Sequence, residues 1–586
     1  MLKYRCIMKM PTEVGNLIRK KILRQEDGMK RLFELFAMLS ILLVTMLFAS
    51  CGGASHGGGE NIPPVDDDQT AAVDEEIFIP YSDDFGRGTV RLESIEYARP
   101  DASALIARCG EAVELIGRES DRDILLSEIR SLLLQYESFV SMSALSRLLH
   151  FGNSGNVSLA VEYKQNEAQR DGVNAAINEV YAALADSEHR DAAERELLGV
   201  GFLGAFTKND AALDSLLAEE KELSAAYVSA SEVEKKRIFV ELVKTRRLIA
   251  DECGYASYTD YLYEMSGFGY SPEDADRLIK NVSNYIMPVY VSLANSVFYS
   301  YFNNKAPSSV NAATVVNDIY EMLSENDSDL ANVFGYMLAY GLYSIDEGRE
   351  GRIDASFVEY LPSNNSPVLY MTAVGDITDY TSLSVLFGQF FDKYSNYGGA
   401  GDRSLYVAED LLPLLSLAGL NGRIDDGDYR YLYYSRMYDM LSDLVMQAYR
   451  ARFEMSVYRL AYDKILPETI DELAIEAADA LYLTDGVTEP QIAITDELVT
   501  SPYSTVTDCV AKLISLEIYF MELDDGGAGF EALKDVTSRS IPRGFDEQLE
   551  NAGVESPFGA GVMKRLADKV HYYIMGYHYF EDLISE

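Results

Sequence analysis

Five histidines are all that this 586-residue sequence offers to the common zinc, nucleophile and acid–base chemistries. His571 and His578 are seven apart in HYYIMGYH, which on a helix puts them about 10 Å apart, too far for one metal ion. His150 and His189 have no Cys, His or paired carboxylate at ligand spacing, and His56 stands alone among glycines. No His-Glu dipeptide occurs, so an H-E-x-x-H zinc helix cannot be written anywhere in the chain. Cys109, Cys253 and Cys509 lack an adjacent His that would activate a nucleophile, and they read as core residues.

The remaining composition narrows the function further. With 50 Lys+Arg against 94 Asp+Glu the net charge is −44, which argues against nucleic acid or anionic lipid as a surface-bound partner. Residues 32 to 50, LFELFAMLSILLVTMLFAS, form an apolar run after Lys30 and Arg31 and are followed at once by Cys51. This is the basic and apolar pattern of a signal peptide. Phe48-Ala49-Ser50-Cys51 resembles a bacterial lipobox, implying a lipid on Cys51 and an extracytoplasmic, membrane-anchored chain. An ordinary secretory signal or a retained anchor is the alternative, and both Met1 and Met29 stand as starts. Residues 1–50 hold nine basic and four acidic residues, so their removal leaves 41 against 90 and a net of −49. Three cysteines then remain besides Cys51, allowing at most one disulfide and favouring none.

In residues 51–77, Cys51 is followed by GGASHGGGENIPPVDDDQ, too poor in apolar side chains to fold. As a flexible tether, roughly 20 such residues span about 25 Å. From about residue 98 the pattern is helical, with start signals at Ser271-Pro272-Glu273-Asp274 and at Thr469 with Glu472. Residues 351–374 break it with short β-prone runs around a Pro/Asn/Ser turn, which predicts a small hairpin. In DYTSLSVLFGQFFDKY, Leu383, Leu386, Phe387, Phe390, Phe391 and Tyr394 make one apolar helical stripe. Val385, Gln389 and Asp392 fall on the opposite side.

Taken with its neighbours, that helix resembles the oligoendopeptidase F and thimet oligopeptidase family of zinc peptidases. PVLYMTAVGDITDYTSLSVLFGQFF follows the family's strand, turn and Thr-Leu-x-His-Glu-x-Gly-His helix, with Gly375 at the turn and Gly388 at the motif glycine. GREGRIDASF (348–357), RRLIADECGYASYTDYLYE (246–264), VAEDLLPLLS (407–416), QAYRARFE (447–454) and SPYSTVTDCVAKLISLEIY (501–519) follow in register with family segments, over roughly residues 100–570. The resemblance implies a mainly α, two-lobed body with a deep cleft and a small sheet, an N-terminal helical lobe over 78–340 and a peptidase-like lobe over 341–586.

The same register implies a lost active site. The two zinc-binding His positions are Val385 and Gln389, the general-base position is Leu386, and only the third ligand, Glu409, matches. Positions where the family stabilises the oxyanion hold Glu497 and Asp508, the wrong sign for a developing anion. Zinc, the family cofactor, is therefore not expected to bind, and Pro413 is expected to kink the Glu409 helix. What remains is a cleft in which Tyr370, Met371 and Thr372 would add a peptide strand, with Tyr503 and Ser504 beside it. A non-catalytic peptide- or protein-binding surface lipoprotein follows; its acidity would suit cationic peptides. The alternatives are a metalloendopeptidase with a different ligand set and a structural envelope component.

Overall fold

Helices begin where a side chain can take up amides that the first turn leaves unpaired. Asp101 caps α1 (Ala102–Ile116), Asp121 caps α2 (Arg122–Gly152) and Asn156 caps α3 (Val157–Ala185). Ser271 and Asp274 close a reciprocal capping box with Pro272 at the first helical position, as the sequence predicts. The second predicted box does not form. Helix Pro467–Ala480 starts two residues before Thr469, because Pro467 suits the first position, where no amide is needed, so Thr469 and Glu472 lie inside the helix. The computed structural model describes residues 90–118, 121–199, 202–206, 211–266, 268–296, 306–348, 351–396, 407–483, 493–537 and 545–576. Cys51, the tether, His56 and His578 lie outside the described residues.

The chain is mainly α, with a three-stranded sheet in its middle. Between α4 (Glu232–Glu252) and the sheet run further helices; then come β1 (Tyr343–Glu347), β2 (Ser356–Leu361) and β3 (Ser366–Ala373). The predicted hairpin is β2 and β3, antiparallel with Phe357 opposite Tyr370, and its turn passes through Asn365 in the left-handed region (φ 49°). The strand β1 was not foreseen. It pairs parallel to β3 on the other side, so the order is β1-β3-β2 and β3 is central. Five residues of mixed polarity, YSIDE, are too short to show a period of two.

On one face of the sheet, Arg147 and Phe151 of α2 cover Phe357, and Arg147 also pairs with Glu359. On through the chain follow α5 (Thr378–Ser395), α6 (Ala408–Leu420), α7 (Asp426–Tyr458), the single turn α8 (Asp496–Thr500) and α9 (Ser504–Asp524). Buried apolar residues separate into two cores. One gathers α1, the start of α2 and the end of α3, from Ala102 to Leu203; the other runs from Ala144 to Val570. Packing is continuous across residue 340, where Phe334 meets Phe387 (4.8 Å between ring centres) and Tyr336 bonds Ser366 (2.7 Å).

Candidate functional site

The turn between β3 and α5 is built from its own sequence. Gly375 adopts φ +85°, a conformation that side chains disfavour, and Asp379 accepts hydrogen bonds from the amides of Val374 (2.9 Å) and Gly375 (2.8 Å). Beyond it the predicted apolar stripe of α5, Leu383 to Tyr394, is buried. Gly388 lies where α5 crosses α6. A Cβ there would stand 2.4 Å from the Ala408 carbonyl oxygen and 2.6 Å from the Glu409 Cα, so the crossing requires glycine. Gly388→Ala is expected to cost at least about 1–3 kcal/mol, read as a lower urea midpoint, because backbone and not a movable side chain meets the new methyl.

This close approach brings two distant sequence positions together. Gln389 Nε2 donates to Glu409 Oε2 at 3.0 Å. Val385, one turn earlier on α5, is half-buried, and Leu386 is buried in the core. Burial raises the Glu409 carboxyl above its ordinary value and Asp410 adds to the shift, against the Gln389 hydrogen bond. Pro413 stands within α6, which runs on to Leu420. Its ring supplies no amide to the carbonyl of Glu409, four residues earlier.

The third wall comes from α9. Lys512 Nζ donates to Asp410 (2.9 Å) and Asp443 (3.0 Å), Arg436 donates to Asp410 (3.1 Å), and Ser515 donates to the carbonyl of Val407 (3.2 Å). The face of α9 carrying Lys512 and Ser515 therefore looks at the start of α6. Asp508, one turn before Lys512 on that face, is half-buried; burial, then Glu497, raises its carboxyl to about 7, with Lys512 opposing. Glu497 itself is exposed on α8. The positions read from sequence as Gln389 and Glu409 thus meet directly, and Glu497 and Asp508 interact electrostatically.

The groove residues need correction. The backbone of Tyr370, Met371 and Thr372 cannot take an added strand, since β3 is central and pairs on both edges. The Tyr370 side chain is also spent: its hydroxyl donates to the carbonyls of Phe151 (2.8 Å) and Ile353 (3.0 Å). Tyr503 is fully buried, at φ +67°, with its hydroxyl bonded to Thr259. Ser504 is buried too, but its hydroxyl has no partner.

Sequence reasoning missed a buried ionic network behind this wall. Arg246 of α4, 1% exposed, donates to Glu220 (2.6 Å), to Tyr458 and to the carbonyl of Val499 (2.6 Å). Glu454 of α7, at 0% exposure, accepts from the Tyr503 amide (2.8 Å) and Thr505 hydroxyl (3.1 Å). A charged residue inside the apolar run ARFEMSVY was the signal available. The histidines do not converge on the site: His150 stacks on Tyr163 and His189 precedes a short helix. Cys109 and Cys509 are buried, and Cys253 follows the last turn of α4. Among the described residues no three His, Cys, Asp or Glu side chains are grouped to hold a metal ion.

No family model and no curated protein matches the chain. Solved structures do. An oligoendopeptidase F aligns with TM-score 0.64 and 16% identity over 83% of this chain and 98% of its own. Pz peptidase A in complex with an inhibitor aligns at 0.63 and 15%, over 82% and 98%. An oligoendopeptidase F from Bacillus anthracis aligns at 0.63 and 17%, over 83% and 98%. The chain has the fold of oligoendopeptidase F type peptidases.

Proposed function

We propose that this chain is a lipid-anchored extracytoplasmic protein that uses a peptidase fold to bind peptides, or an extended segment of a partner protein, without cleaving them. The observation that carries this reading is the Gln389–Glu409 hydrogen bond. Where the family's register implies two imidazoles and a carboxylate around zinc, this chain offers a hydrocarbon, an amide that donates to the remaining carboxylate, and Glu409 itself. These residues do not fit a zinc ion, which needs lone pairs from at least three protein ligands. Leu386 supplies no base; burying it instead of a carboxylate gains about 1.5–3 kcal/mol of transfer free energy. Asp508 adds negative charge where amide hydrolysis requires stabilisation of an oxyanion.

Peptide capture is the use such a frame retains. Among the described residues, the strand edges without a strand partner are the outer edges of β1 and β2, since both edges of β3 are paired, and strand addition would use one of them. The anchor rests on the Phe48–Cys51 motif. The test is zinc content and cleavage of a quenched peptide library by the purified exported chain, with fluorescence anisotropy of the same peptides. The expected result is less than a tenth of an equivalent of zinc, no chelator-sensitive cleavage, and saturable binding. Near-stoichiometric zinc with cleavage abolished by chelator would overturn the non-catalytic reading.

A further inference from the structure

We propose that the wall formed by α6, α7 and α9 holds an alkylammonium or guanidinium group of the bound peptide, with Asp508 as its counter-ion and Ser504 and Gln447 as its hydrogen-bond acceptors. This rests on the peptide-binding reading above and names what the site selects.

Helix faces establish the placement. Ser504, Asp508 and Lys512 stand at i, i+4 and i+8 on α9, on the face that Lys512 and Ser515 turn toward α6. Across from them, α7 runs antiparallel: Thr505 meets Glu454 (3.1 Å), Cys509 Sγ meets the carbonyl of Leu444 (3.8 Å) and Lys512 meets Asp443 (3.0 Å). Gln447 belongs to the same stripe of α7 as Asp443, Leu444 and Glu454, which places it opposite the turn of α9 that carries Asp508.

Two buried polar atoms on these helix faces have no partner among the described residues. Ser504 is 3% exposed and its Oγ is unbonded; Gln447 is 8% exposed and its Oε1 is unbonded. A buried polar group left unpaired costs free energy, so orphaned atoms flanking a carboxylate mark positions that a ligand would satisfy. A carboxylate and a carbonyl oxygen both ask for N–H donors. Lys512 is held by Asp410 and Asp443, and Arg436 bonds Asp410 while its Nε stays unbonded. The charges acting on Asp508 are Glu497 on α8, Asp410 on α6 and Asp443 on α7, against Lys512 on its own helix. An organic cation with several N–H groups answers that charge and those acceptors together. The side chains are not grouped as a metal ion would need.

The test uses two N-acetylated, tetramethylrhodamine-labelled pentapeptides, one with a central lysine and one with a central norleucine, and an arginine version to separate ammonium from guanidinium. An alanine pentapeptide with a free N-terminus asks whether the chain's own amine serves. Wild type is expected to bind the lysine or arginine peptide at least tenfold more tightly than the norleucine peptide. Asp508→Asn should remove about 10–100-fold of that preference, the range for a hydrogen-bonded charge, and Ser504→Ala about threefold to tenfold. Affinity for the lysine peptide should rise between pH 6 and pH 8, where the probe's charge is constant and Asp508 ionises, and Asp508→Asn should flatten the rise. Binding of the norleucine peptide by both variants reports that they are folded. Equal affinity for lysine and norleucine peptides, or a preference unchanged by Asp508→Asn, would overturn this assignment while leaving peptide binding intact. No binding of any peptide would overturn both, and cleavage of the lysine peptide would overturn only the non-catalytic reading.

Discussion

Val385→His combined with Gln389→His is expected to give a chain that binds one zinc ion, where the wild type is expected to bind less than a tenth of an equivalent. The expectation follows from the α5–α6 crossing. Gly388 lets the two helices approach until residue 389 touches Glu409 at 3.0 Å, and residue 385 lies one turn earlier on the same side of α5. Histidines at i and i+4 present two imidazoles to one point, and Glu409 supplies the third ligand. Zinc dissociation constants in the micromolar range or tighter are expected, about 8 kcal/mol or more of binding free energy. A chromophoric zinc chelator in competition reads this directly. Glu409→Ala in the same background should weaken binding by at least tenfold, because two imidazoles alone leave the ion largely to water. Zinc binding alone is not expected to confer peptide hydrolysis, since Leu386 supplies no base and Asp508 no oxyanion donor. A folded double variant without zinc affinity, or one whose affinity survives Glu409→Ala, would show that the three positions do not share a site.

How far these arrangements were legible depends on how local their causes are. The α5 stripe and the Ser271 box follow from the local spacing of residues along one helix, which suffices to predict them, whereas the Gly375 turn was placed through resemblance. The meeting of Gln389 with Glu409 was reachable only through resemblance. Nothing in the spacing of 20 residues says that two helices cross at a glycine. The strand-addition proposal failed for a topological reason. A hairpin alone leaves β3 with one free edge, and β1, contributed from before the hairpin and too short to announce itself, closes it. Buried ionisable groups were the least visible. Glu454 and Arg246 look like any surface charge until tertiary packing removes their water, and the partners that compensate them come from other helices.

Glu454 carries the second large expectation. Its carboxyl is completely buried, and burial pushes it to about 8, although the Tyr503 amide, the Thr505 hydroxyl and the charge of Arg246 all favour the ionised form; Glu497 adds repulsion. In the unfolded chain the same group titrates near 4.5. Between those values the unfolded state has released its proton while the folded state still holds one. The unfolded state therefore binds fewer protons, and stability falls as pH rises from about 4.5 to about 8, levelling off above. The full swing is on the order of 3–5 kcal/mol, large against the 5–15 kcal/mol that typically separates folded from unfolded chains. Asp508, raised to about 7, slopes the same way over a narrower window. Glu454→Gln keeps the shape of the neutral acid and a carbonyl oxygen for the Tyr503 amide, but does not titrate. Urea midpoints should place this variant within about 1 kcal/mol of wild type at pH 5 and above it by about 2–4 kcal/mol at pH 8.5. The gain reflects removal of an anion that the alkaline wild type must bury at the turn into α9, where the left-handed Tyr503 is held by that same carboxylate. Parallel pH profiles for variant and wild type would mean that Glu454 is ionised throughout, with Arg246 as its effective counter-charge.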